Sequence, residues 1–351
     1  MTKNRLQGMD AAGNTGASIY SNQNRKKYVV LAILLAICAV SLVVDIMTGA
    51  AMLPVGDVLA CLFRRSEAPA TTQVIVWQMR LPIALTALVV GFALGGSGAV
   101  MQTILHNPLA SPYTLGVGAG ASFGASLAIV LELGEAGICA CAFSFAMLIC
   151  LLIYFIGRMR GMNTNSMVLA GIALLFLFQA LLALIQYGAS EGQNQSIVFW
   201  SFGSLQRSTW LRLAIAAATV AVVFPLLMMD AWKYTALLMG DEKAESLGIQ
   251  VNRLKLKAFF LISLLSAVSV CFTGTIGFIG LAGPHIARML VGEDQRFYLP
   301  VSAVCGMAVL SVASILSKLI VPGTIFPIGI ITSIIGVPFF FALVMRGRGG
   351  K

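Results

Sequence analysis

Apolar runs of membrane-spanning length, broken by short polar stretches, follow one another from Tyr28 to Met345. A helix rises about 1.5 Å per residue, so roughly 20 apolar residues cross the hydrocarbon of a bilayer. The runs Tyr28–Val44, Leu81–Leu105, Thr114–Leu131, Ile138–Ile156, Met167–Tyr187 and Leu211–Met229 give six spans. Ala258–Val291 is too long for one span and too short for two with an ordinary loop. Its glycines 274, 277, 280 and 283 predict two spans joined by a tight re-entrant turn. Leu299–Val321 and Phe326–Met345 bring the total to about ten.

The breaks are informative too. Residues 1–27 are polar and rich in Asn, Gly and Ser, which predicts a disordered cytoplasmic tail before one ten-helix membrane domain, 28–346. Pro82 stands in the first turn of the second span, where its missing N–H costs little. Gly91/Gly95 and Gly116/Gly120/Gly124 recur every four residues, a spacing that lets helix backbones approach closely.

Composition agrees with this reading. The chain is 59% hydrophobic and 10% charged, against about 25% charged in soluble domains, so it is an all-α polytopic membrane protein with no room for a large soluble domain. The net charge of +10 does not imply nucleic acid, because basic residues gather on the cytoplasmic side of membrane proteins. With ten spans both termini fall on one side, which then carries 17 of the 23 Lys and Arg residues. That asymmetry predicts both termini in the cytoplasm. The other side holds Arg64, Arg65, Arg80, Arg207, Arg212 and Lys318. Seven cysteines without a CxxC pair read as small packing residues.

After the tail, the longest charged island is Asp230–Lys257, on the basic side between spans six and seven. Gly240 and Gly248 each stand where a short helix could end in a left-handed residue. Asp241 would cap the second of two short helices, with Glu242 in its first turn. Leu237, Leu238, Ala244, Leu247 and Ile249 would give the pair an oily side suited to docking on another protein. On residues alone, a solvated loop competes with that reading.

No charged residue lies near the middle of a span, where ion-coupled transporters and membrane proteases place theirs. The two histidines, His106 and His285, fall near span ends, and no GxxxxGK[ST] phosphate loop is present. A wide bundle with an internal handle and no energy source of its own remains. It fits a pore-forming subunit driven by a partner, or a passive channel.

Three segments add a resemblance. Arg80-Leu81-Pro82 runs on to SGAVMQ and NPLASPYTLGVGAGA; GDEKAESLGI covers Gly240–Ile249; GTIGFIGLAGPHIAR and PIGIITSIIGVPFFF cover Gly274–Phe341. Together they resemble the FecCD family, the iron-siderophore, haem and vitamin B12 permeases of ABC importers. The resemblance implies a type II ABC importer permease fold in the cytoplasmic (inner) membrane, paired with a second copy or a paralogue and bathed by membrane lipid. It also implies two ATPase subunits inside, which would hold the ATP, and a substrate-binding protein outside. The chain itself would be non-catalytic, with no cofactor or metal of its own. The expected cargo is an iron(III)-siderophore or a related chelate, with haem or a corrinoid as the alternative. Site roles carry over by position: ATPase coupling to Gly240, Asp241, Glu242, Ala244, Leu247 and Gly248, and a cytoplasmic gate to Asn107, Leu109, Thr164 and Asn165. Docking of the binding protein carries over to Arg80 and Lys318, with Arg64 or Arg65 as possible helpers. Two departures weaken that last assignment: the Arg common after RLP is Ile83, and the acidic position four before Lys318 is Ser314.

Overall fold

A computed structural model describes residues 3–49, 53–63, 69–321 and 324–346, and every regular element among them is helical. The chain opens with α1 (Lys3–Met47), α2 (Val55–Phe63) and α3 (Ala70–Val74). A π-helical turn, Ile75–Arg80, then leads into α4 (Leu81–Ile104). Next come α5 (Val117–Val130), α6 (Gly134–Met159), α7 (Thr164–Gly188), α8 (Glu191–Ser201) and α9 (Trp210–Met228). The elbow helices α10 (Ala231–Leu237) and α11 (Asp241–Ser246) precede α12 (Val251–Thr273), α13 (Ile279–Val291), α14 (Gln295–Leu319) and α15 (Ile328–Arg346). Seven helical segments are long and apolar enough to cross a bilayer. Three shorter apolar helices, in α5, α13 and α15, bring the total among the described residues to ten.

Three expectations change. The polar leader read as a disordered tail is the amino-terminal part of α1; extending a helix already nucleated by the apolar span needs no new nucleus. The charged island ends earlier than expected, because α12 begins at Val251 and takes Arg253, Lys255 and Lys257 into its first two turns. The re-entrant turn is residues 274–278, but the helix after it, α13, has only 13 residues. At 1.5 Å per residue α13 is about 20 Å long, short of a bilayer's hydrocarbon core.

The centre of the bundle is α4, nearly all of whose residues are buried against α12, α13 and α14. Small residues make this approach possible. A Cβ on Gly95 would lie 3.1 Å from Gly306 Cα, and one on Gly283 would lie 2.9 Å from Ser302 O. Gly120 and Gly124 seat α5 on Phe145 and Cys141 of α6 in the same way. The four-residue glycine spacing is therefore packing, as read. On one face, three loops are stitched through their backbones: Ser204 donates to Thr273 O (2.6 Å), Ile328 to Gly203 O (3.2 Å) and Gly329 to Phe202 O (3.0 Å). Thr275 Oγ1 adds a bond to Ser201 O. The elbow lies on the opposite face, with the ends of α4 and α13 and the start of α14.

Candidate functional site

Gly240 and Gly248 flank α11 with φ of +105° and +81°, conformations that a side chain would strain. Asp241 does not cap α11. The N-cap position is Gly240, and Asp241 is the first helical residue. Its carboxylate is instead shared: Oδ2 accepts from Lys255 Nζ at 2.6 Å and Oδ1 lies 3.2 Å from His106 Nε2. Burial alone would raise its pKa, but the hydrogen bonds and charges of Lys255 and then His106 outweigh that and hold it below the usual carboxylate value.

The oily side is also redistributed. Leu237, Ala244 and Ile249 point into the protein and are buried, and Leu238 is half-buried. Of the apolar residues named from the sequence only Leu247, 57% exposed, faces out, joined by Met239 at 53%. Around these two stand the exposed side chains of Glu242, Lys243 and Glu245. The elbow thus presents a small apolar ridge with a mixed-charge rim, and its other side is committed to its own bundle.

That commitment is well anchored. Asp230, buried at the end of α9, accepts from Lys233 (2.6 Å) and Lys257 (2.7 Å), so one carboxylate clamps α10 to α12. Thr235 Oγ1 accepts from Gln295 N at 3.1 Å, and Thr103 Oγ1 donates to Gln295 Oε1 at 3.3 Å. The elbow is therefore tied to the start of α14 and, through it, to the end of α4.

The expected gate residues divide into two groups. Asn107 Oδ1 accepts from Leu109 N at 2.9 Å, so Asn107 makes the turn its Asn-Pro sequence suggests, and Leu109 is 51% exposed. Thr164 and Asn165 open α7, where Asn163 is the capping residue and accepts from Ser166 N at 3.2 Å. Among the described residues no hydrogen bond or ion pair joins the two groups. His106 does connect the Asn107 turn to the elbow, through Asp241. His106 also has φ of +45°, unusual for a non-glycine residue. Its position directly before the NPL motif was the only sequence signal for this link.

On the opposite face lie the two residues expected to meet the binding protein. Arg80 and Lys318 are buried, at 8% and 7% exposure. Arg80 Nη1 donates to the carbonyls of Ile46 (2.8 Å) and Met47 (2.9 Å) at the end of α1. Lys318 Nζ donates to Asp45 Oδ1 at 2.7 Å, and Ser314 Oγ lies 3.0 Å from both Asp45 oxygens. Asp45 thus supplies the carboxylate that Ser314 lacks, and Ile83 is buried in the core. An apolar setting makes such groups seek internal partners before solvent. Arg64 and Arg65 lie outside the described residues. The exposed face nearby carries a cavity of about 620 Å³ lined by Arg207, Arg212 and Glu135, with Arg212 and Glu135 paired at 2.8 Å.

The model of the FecCD transport family matches residues 24–346. A Methanocaldococcus jannaschii protein named as an ABC transporter permease is 36% identical over 93% of this chain and 97% of its own length. The hemin transport system permease of Yersinia pestis is 35% identical over 78% of this chain and 84% of its own. A solved structure described as an inward-facing, metal-chelate type ABC transporter superposes with a TM-score of 0.80 at 30% identity. It covers 91% of this chain and 99% of that one.

Proposed function

The chain belongs to the FecCD transport family, and we propose that it is the membrane-spanning subunit of an ATP-driven importer of a metal chelate, an iron(III)-siderophore first. Two permeases, identical or paralogous, enclose the path. Two ATPases bind the elbow from the cytoplasm, and an extracytoplasmic binding protein delivers the cargo. ATP is hydrolysed on the ATPase subunits, and both termini of this chain lie in the cytoplasm.

The observation that carries this reading is the elbow. A pair of short helices, clamped to α4, α12 and α14 on one side, offers Met239 and Leu247 on the other. Force applied to that ridge reaches α12 through Lys255 and the turn at Asn107 through His106. Closure of the ATPases would move the two together, a hinge-type exchange of outward and inward access. Asn107 and Leu109 take the cytoplasmic gate, with Thr164 and Asn165 as its second half from α7.

The hemin permease relative keeps haem as the second reading for the cargo. Uptake by cells carrying this chain with its ATPase and binding protein decides between them, using labelled ferric siderophores, haem and cobalamin. Saturable uptake of a ferric siderophore alone supports the first reading; uptake of haem or cobalamin alone replaces it.

A further inference from the structure

Beside the elbow a groove of about 350 Å³ opens between α10, the turn 248–250 that follows α11, and the first turns of α12. Lys233, Arg253 and Lys257 line it, and Asp230 at its floor is the one carboxylate among its lining residues. Two of the cations are held on Asp230, at 2.6 and 2.7 Å. Arg253 is exposed and makes no hydrogen bond or ion pair among the described residues. Three positive charges against one negative leave the groove with an excess of two.

We propose that this groove binds the phosphate of an anionic phospholipid headgroup. The charge calls for an anion, and the guanidinium of Arg253 offers a phosphate two parallel donors. The surroundings call for a lipid. On α12, Arg253 and Lys257 share a face with Phe260, which is 50% exposed, so the basic lip continues into bare apolar surface. Trp232, which lines the groove, is 54% exposed, and in the chain before it Val222 of α9 and Met229 just after α9 are 63% and 69% exposed. An indole at the edge of an apolar stripe is the usual marker of the headgroup level. Cations below and two exposed apolar stripes above match a headgroup and its acyl chains; a soluble phosphate would use only the lower half. The bound headgroup bridges α10 to α12, so the lipid would brace the elbow.

The test uses the purified permease–ATPase complex. It is delipidated and titrated with phosphatidylglycerol or phosphatidylcholine, and bound lipid is counted by native mass spectrometry. Phosphatidylglycerol should be retained preferentially. Each cation removed near a charged membrane surface weakens such binding about five-fold. Arg253→Gln with Lys257→Gln should therefore lose roughly twenty-five-fold, while Arg158→Gln, on an exposed end of α6, should change little. Wild-type melting temperature, read separately, should rise with phosphatidylglycerol and stay flat with phosphatidylcholine. Equal retention of the two lipids, or undiminished phosphatidylglycerol binding in the double variant, would overturn the proposal. So would binding of inorganic phosphate or glycerol phosphate as tight as that of the lipid, which would assign the groove to a soluble anion.

Discussion

The pair Lys255–Asp241 is uneven. The Lys255 side chain is 2% exposed and that of Asp241 46%, with the charged groups 2.6 Å apart. Breaking a fully buried pair costs about 3–5 kcal/mol and an exposed one about 0.2–1 kcal/mol. Removing Asp241 strands the buried partner and should fall between these limits, at about 2 kcal/mol. Removing Lys255 strands a carboxylate that water and His106 can still reach, at a cost of about 1 kcal/mol or less. Asp241→Ala should therefore harm the elbow more than Lys255→Met, and a double variant should do little worse than Lys255→Met alone. Hydrogen exchange of the α11 amides reads this directly, because their protection reports local opening. The expected loss is about thirty-fold for Asp241→Ala and about five-fold for Lys255→Met. In the reconstituted transporter, Asp241→Ala should also lower the cargo moved per ATP hydrolysed. If Lys255→Met proved as costly as Asp241→Ala, or if Asp241→Ala left both exchange and coupling unchanged, the elbow would not be held as described.

Other outcomes follow from the same structure. Because Asp241 has its pKa lowered in the folded protein, its stabilising contribution is present above the ordinary carboxylate range. It is lost as pH falls through the lowered value, and α11 protection should show that loss in wild type and not in Asp241→Asn. Asp45→Ala leaves Lys318 buried and unpaired and should cost about 3–5 kcal/mol in detergent denaturation, with much of it recovered by adding Lys318→Met. A fully stable Asp45→Ala protein would refute that pairing. Glu242→Arg with Leu247→Asp changes only exposed side chains, so the permease should fold normally yet fail to co-purify with its ATPase; normal co-purification would speak against the ridge. Gly95→Leu drives a side chain into the backbone of α14 and should abolish stable expression, where Gly188→Leu, with open space at its Cβ, should not.

Much of the architecture was legible because lipid imposes length. Runs near twenty residues and glycines at four-residue spacing reflect constraints that act within one or two helices, and they reappear as α4, α6, α7, α9 and α14. The elbow was legible as charge interrupted by two glycines. Which of its sides faced the bundle was not, since Leu237, Ala244 and Leu247 look alike until α12 and α14 are placed. The pairs formed by Asp241 with His106 and by Asp45 with Lys318 join residues 135 and 273 positions apart, a separation at which no local pattern operates. The same distance explains Arg80 and Lys318. Their motifs suggested an outward role, and only the carbonyls and Asp45 at the end of α1 reveal what they hold. The brevity of α13 is not legible in the sequence, because four glycines spaced through the apolar run mark a turn without showing that helix resumes only at Ile279.

The most direct test of the whole account places this permease in vesicles with its ATPase and binding protein and follows accumulation of labelled chelate against a gradient. Accumulation should require ATP and should vanish when the phosphate-loop lysine of the ATPase is replaced, with the permease unchanged. Uphill transport by the permease alone, without any ATPase, would contradict the account.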